Sequence, residues 1–131
     1  MTRDGPLLTV LVAIGIGAAV GAWLRWALSY WLNPRLDHLP LGTLASNLLG
    51  GYLIGLAIAA FAVHPSIPPV WRLLIVTGFL GGLTTFSTFS AESVVMMMGS
   101  QWAPALMHTA AHLGGSLGAT LAGIATYRAF A

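Results

Sequence analysis

The sequence predicts an all-α membrane protein with four transmembrane helices, the third of them broken in mid-membrane. Three observations carry that expectation. Of 131 residues, 57% are hydrophobic and 6% charged, against about 25% charged in water-soluble domains. Such a chain cannot cover a surface that faces water. The apolar residues fall in four long stretches with short connections. At about 20 residues per crossing, the chain fits four spans as one domain, 1–131, with no separate soluble part. The third stretch carries Gly78, Gly81 and Gly82 and then a row of hydroxyls, a composition that lipid-facing helix has no use for.

The remaining composition excludes several classes. A net charge of +2 is too small for a nucleic-acid partner. The absence of cysteine excludes disulfides and thiolate metal sites and leaves the redox compartment open. No nucleophile–base pairing is visible, so the chain reads as a non-enzyme.

The first span is placed at about 6–32. Its length and the lack of a polar region after it argue against a cleaved leader. Gly17 and Gly21 make a small-xxx-small face for close helix approach. Trp23, Trp26, Tyr30 and Trp31 gather near its end as an interfacial belt. Arg25 lies among them and reads either as a snorkelling side chain or as a structural residue. After the turn-rich connection 33–40, the second span covers about 41–63. It carries Gly51 and Gly55, a second packing face, and Asn47, a lone amide that serves either as interhelical glue or in a pore.

Past a proline-rich connection at 64–69, Trp71 and Arg72 open the third span, about 70–98, as an interface anchor. It is too long for one straight crossing. A break is expected near 78–84, where backbone carbonyls lose their helical partners and become able to coordinate a dehydrated cation. A simple packing kink is the alternative. Thr84, Thr85, Ser87, Thr88 and Ser90 then supply polar groups without charge, with Ser93 just beyond. Phe86 and Phe89 are three apart and share a helix face. Aromatic rings are positive at their edges, so two ring edges beside a row of hydroxyls can line a path for a small anion. Glu92, on the face of Thr84 and Thr88, is either a functional intramembrane carboxylate or one solvated at the interface.

The fourth span, about 102–130, holds His108, His112, Ser116 and Thr120 at four-residue spacing, a stripe that drifts slowly around the helix. His108 and His112 are half of a metal site, but no third ligand with suitable spacing appears along the chain. The stripe therefore reads as a wetted pore wall. Gly114 and Gly118 form a third close-packing motif. With four spans, Arg3, Arg72 and Arg128 lie on one side and Arg25 and Arg35 on the other. Three against two is almost no positive-inside bias and permits insertion both ways. Four short spans enclose a pore poorly, so a dimer is the natural minimum.

Three stretches together carry a resemblance. The run Gly17-Ala18-Ala19-Val20-Gly21-Ala22-Trp23-Leu24-Arg25-Trp26, the run from Gly42 through Asn47 to Gly50, and Gly78 through Ser90 with its Thr-Phe-Ser-Thr-Phe-Ser core resemble the small fluoride channels, the Fluc or CrcB family. The match runs in order over nearly the whole chain. The resemblance implies a fluoride-selective channel that exports fluoride passively from the cytoplasm as an antiparallel, dual-topology homodimer. A multi-pass location in the cell (inner) membrane, in contact with lipid, goes with it. It implies that Phe86 and Phe89 face the ion, that Asn47, Ser87, Thr88 and Thr120 donate hydrogen bonds, and that Ser116 lines the pore beside the less secure His108. It favours a structural or vestibule role for Arg25. It also implies one structural Na+ at the dimer axis, held by backbone carbonyls of Gly81 and Thr84. The other reading weighed is a small proton-coupled multidrug exporter, also a four-span antiparallel dimer. That class needs a carboxylate in the first span, and this one has none.

Overall fold

The computed structural model describes residues 4–35 and 39–131. Arg3, used above in the charge comparison, and the middle of the 33–40 connection lie outside the described residues. Helix α1 (Leu7–Leu32) is followed by a 3-10 turn (Asn33–Arg35) and α2 (Leu41–Val63). A composite third element comes next: α3 (Pro69–Arg72), a π-helical segment (Leu73–Leu80) and α4 (Gly81–Leu83). After an extended interruption, α5 (Phe86–Met98) and α6 (Trp102–Phe130) complete the described chain. Everything regular is helical, as apolar composition demands where backbone groups must be satisfied within their own segment.

Among the described residues, three helical stretches are long and apolar enough to cross a membrane: 7–35, 41–63 and 69–98. Helix α6, 29 residues long, is not among them, because its histidines, hydroxyls and glycines dilute its apolar residues. Helices run over 7–32, 41–63, 69–98 (with the interruption) and 102–130, where crossings were expected at about 6–32, 41–63, 70–98 and 102–130.

Backbones approach closely at glycines. A Cβ on Gly17 would come within 2.3 Å of Leu74 O, and one on Gly21 within 2.1 Å of Phe79 O. Those two positions seat α1 on the π-helical segment. Gly55 and Gly123 do the same between α2 and α6, where an added Cβ would meet Thr120 O at 2.2 Å or Tyr52 O at 2.1 Å. The third expected motif is different. Gly114 and Gly118 have nothing within 4 Å and face outward from the subunit. Spacing alone does not say which face of a helix has a neighbour.

The connections are tied down locally. Asn33 Oδ1 accepts from Gly42 N–H at 2.7 Å, satisfying one of the free amides at the start of α2. Arg72 donates to Phe61 O at 3.3 Å and lies 5.1 Å from the Phe61 ring centroid. It pins the start of the third element to the end of the second.

Candidate functional site

The break falls at Thr84 and Thr85, whose backbones are extended (φ −87°, ψ 157° and φ −152°, ψ 116°). It lies at the C-terminal edge of the expected 78–84 window and is not made by the glycines. Gly78 and Gly82 remain helical and are small for a packing reason: a Cβ there would reach Ile14 O at 2.7 Å or Ala18 O at 2.4 Å. The eight-residue π-helical stretch before the break is a rare geometry that tends to accompany functional sites.

Asn47 holds the break open. Its Oδ1 accepts from Thr85 N–H at 2.8 Å, and its Nδ2 donates to Thr85 O at 3.1 Å. The side-chain amide thus replaces a peptide partner for both backbone groups of one residue, which is buried. The second Nδ2 hydrogen goes to His112 Nδ1 at 3.0 Å. An amide nitrogen only donates, so Nδ1 is the acceptor and the neutral ring carries its proton on Nε2. Thr85 in turn caps α5, its Oγ1 accepting from Thr88 N–H at 3.1 Å, the ordinary way to satisfy an amide at a helix start. Thr85 Oγ1 also donates to Thr88 Oγ1 at 3.1 Å and lies 3.2 Å from Ser87 Oγ.

These bonds decide which carbonyls lose their partners. In an unbroken helix Thr85 N–H would meet Gly81 O, and Thr88 N–H would meet Thr84 O. Both amides are instead held by side chains. Leu80 O accepts from Thr84 N–H at 3.0 Å and from Thr84 Oγ1 at 2.8 Å. Gly82 O accepts from Arg25 Nε at 3.0 Å. Arg25 therefore ties α1 to the last turn before the break, which a side chain reaching only to the headgroups would not do.

Phe86 and Phe89 meet edge to face, centroids 5.5 Å apart and planes at 67°. Phe86 is the outer ring, 79% exposed. Phe89 stacks on His112 at 4.7 Å. A cavity of about 600 Å³ is lined by Asn47, Thr85, Phe86, Phe89, His112 and Ser116 among others. Thr120 does not line it, and its hydroxyl proton is given to Ser116 O at 3.0 Å. Ser87 is exposed and Thr88 half-buried, both beside the break.

Glu92 and His108 resolve into one cluster. Glu92 Oε1 accepts from Thr43 Oγ1 at 2.6 Å, and Glu92 Oε2 is 3.3 Å from His108 Nε2. Glu92 is thus held by a neighbouring helix and faces a histidine. His112 joins them: one ligand atom from each of Glu92, His108 and His112 lies within 4.8 Å of the others. The statement that the histidine pair has no third ligand holds along the sequence and fails in space, since Glu92 arrives from a different helix. Sequence reasoning passed over Thr43, and it took Thr85 only as one of a row of hydroxyls, without its capping role. Thr43 stands one turn before Asn47, and Thr85 stands three before Thr88, a spacing that suits an N-cap.

The sequence profile of the family described as "CrcB-like protein, Camphor Resistance (CrcB)" matches residues 12–124. A protein of Cupriavidus metallidurans named "Fluoride-specific ion channel FluC" is 63% identical over 120 residues, 92% of this chain and 95% of that one. A protein of the same name from Cupriavidus pinatubonensis is 59% identical over 97% of this chain and 99% of its own length. Another from Pseudomonas putida is 56% identical over 92% and 95%.

Proposed function

Because the chain belongs to the CrcB family, we propose that it is a fluoride-selective channel through which fluoride leaves the cytoplasm down its electrochemical gradient. Several full-length relatives carry the name of a fluoride-specific ion channel. The observation that carries the reading is the edge-to-face pair Phe86 and Phe89 lining a cavity beside the Asn47-held break. Hydrogen fluoride enters cells as the neutral acid and ionises where the medium is less acidic. A passive anion path then drains the ion with no chemical step. Ring edges attract a dehydrated anion through their quadrupole, and hydroxyls beside them give hydrogen bonds without fixed charge.

The finer assembly belongs to the same proposal. We infer four crossings, with α6 as the fourth, in the cell (inner) membrane. The subunit inserts in both directions and pairs as an antiparallel homodimer, whose second copy covers the open side of the cavity and the exposed Phe86. One Na+ sits at the dimer axis, held by Gly81 O and Thr84 O from each subunit. Two findings support those atoms: both carbonyls have lost their helical amides to Asn47 and Thr85, and carbonyl oxygens are hard dipoles suited to replacing a hydration shell. They carry no formal charge, so the ion's positive charge remains to favour nearby anions. The residues present fit sodium, and the ion would supply structure and not be transported.

The test of the ion assignment is sodium dependence in reconstituted protein. Removing Na+ from both sides should lower fluoride flux or loosen the dimer. An imposed Na+ gradient should drive no fluoride uptake beyond its electrical effect, and stoichiometric coupling of the two fluxes would make the protein a co-transporter instead.

A further inference from the structure

We propose that Glu92, His108 and His112 form a binding site for one divalent transition-metal ion of the zinc type, distinct from the carbonyl site at the break. The donor set is one carboxylate and two imidazoles, which borderline metals such as Zn²⁺ favour and which hard ions such as Na+ and Mg²⁺ do not. One ligand atom from each lies within 4.8 Å of the others. Glu92 Oε2 and His108 Nε2 are already 3.3 Å apart, close to the ligand-to-ligand edge of about 3.3 Å expected for a tetrahedron with bonds of about 2.0–2.1 Å. His108 is fully buried and His112 nearly so. Among the described residues, Glu92 Oε2, both ring nitrogens of His108 and His112 Nε2 make no hydrogen bond of good geometry, the nearest approach being the 3.3 Å between Glu92 Oε2 and His108 Nε2. Buried polar atoms so poorly satisfied at one spot are costly, and a cation bound there would take one ligand atom from each of the three side chains. Thr43 Oγ1 donates to Oε1 of Glu92 and leaves Oε2 turned to the histidines.

Occupancy has a consequence for the break. His112 Nδ1 accepts from Asn47, so in the metal-free site the proton is on Nε2. A metal bound at Nε2 moves that proton to Nδ1, where it opposes the Asn47 N–H. Metal binding therefore separates His112 from Asn47, the residue that holds Thr85, and disturbs the ring of His112 against which Phe89 stacks. Zinc should accordingly slow anion passage, a corollary that rests on the channel reading, whereas the binding itself does not.

The test is a titration of ZnCl2 into purified, tag-free protein in detergent without fluoride. One Zn²⁺ per chain is expected, with binding weakened by at least about tenfold in each of Glu92→Gln, His108→Gln and His112→Gln. His64→Gln, in an exposed connection, should bind as the parent does. Cobalt(II) absorption of the parent protein reads tetrahedral nitrogen and oxygen ligation directly, should the variants fail to fold. The proposal is overturned if the parent shows no saturable zinc binding, if all three variants bind like the parent, or if cobalt shows an octahedral spectrum. Zinc bound at this stoichiometry without slowing fluoride efflux would overturn the coupling to Asn47. Absent efflux in metal-free protein would instead count against the channel reading alone.

Discussion

Asn47 matters because a broken helix must be satisfied from outside itself. Truncating it strands the N–H and C=O of buried Thr85 together, at about 1–3 kcal/mol for each unsatisfied group. Asn47→Ala should therefore lower the thermal midpoint of the detergent-solubilised protein clearly, while Ser87→Ala, at an exposed position, should stay within about 0.5 kcal/mol of the parent. Equal midpoints for the two variants would show that the break holds itself. On the channel reading, the rings act by charge distribution more than by volume. Phe86→Ile or Phe89→Ile keeps apolar bulk and removes the positive ring edge, so each should nearly abolish fluoride flux in a folded protein. These residues were legible in the sequence because their types are unusual in an apolar span. What they bond to was not. The pairing of Glu92 with His108 joins two helices that no spacing rule connects, and the donation of Thr120 to Ser116 O depends on a rotamer.

Among the elements, the third stretch carried the clearest sequence signal. Its interruption was expected near 78–84 and opens at the C-terminal edge of that window, at Thr84 and Thr85, while Gly78 and Gly82 turn out to be seats for α1. Glycine marks both loosened backbone and close approach, and only a neighbour decides between them. The contrast is measurable. Gly82→Ala places a Cβ 2.4 Å from Ala18 O, a backbone atom that cannot turn aside, so it should destabilise the subunit and shift α1. Gly114→Ala meets nothing within 4 Å and should leave stability unchanged or raise it by up to about 1 kcal/mol through helix propensity. Thermal melts of both variants check this, and a stable Gly82→Ala protein would contradict the packing of α1. Gly81 is informative in another way. A Cβ there finds only Val76 O, at 3.8 Å, so Gly81→Leu has room inside its own chain. Any loss of sodium binding or of dimer in that variant reports on the assembly. Thr84→Ala keeps the carbonyl and should be mild.

For the whole molecule, composition establishes a membrane protein, and three helices have the length and apolarity to cross. Helix α6 was legible as the last apolar stretch of the sequence, and its stripe of histidines and hydroxyls is what keeps it below the apolarity of the other three. Orientation follows from charge. Arg3, Arg72 and Arg128 against Arg25 and Arg35 leave almost no bias, so two or three arginines added to the 64–69 connection should force one topology. Activity should then fall and return when an oppositely biased copy is co-expressed. The central claim, that this subunit makes a selective fluoride path, is tested most directly in liposomes. Purified protein is reconstituted into vesicles loaded with fluoride or with chloride, a potassium ionophore supplies the counter-current, and ion-selective electrodes record efflux. Rapid fluoride efflux with negligible chloride efflux, lost in the folded Phe86→Ile and Phe89→Ile variants, is the predicted result. Equal efflux of the two anions, or no fluoride efflux from folded parent protein, would contradict it.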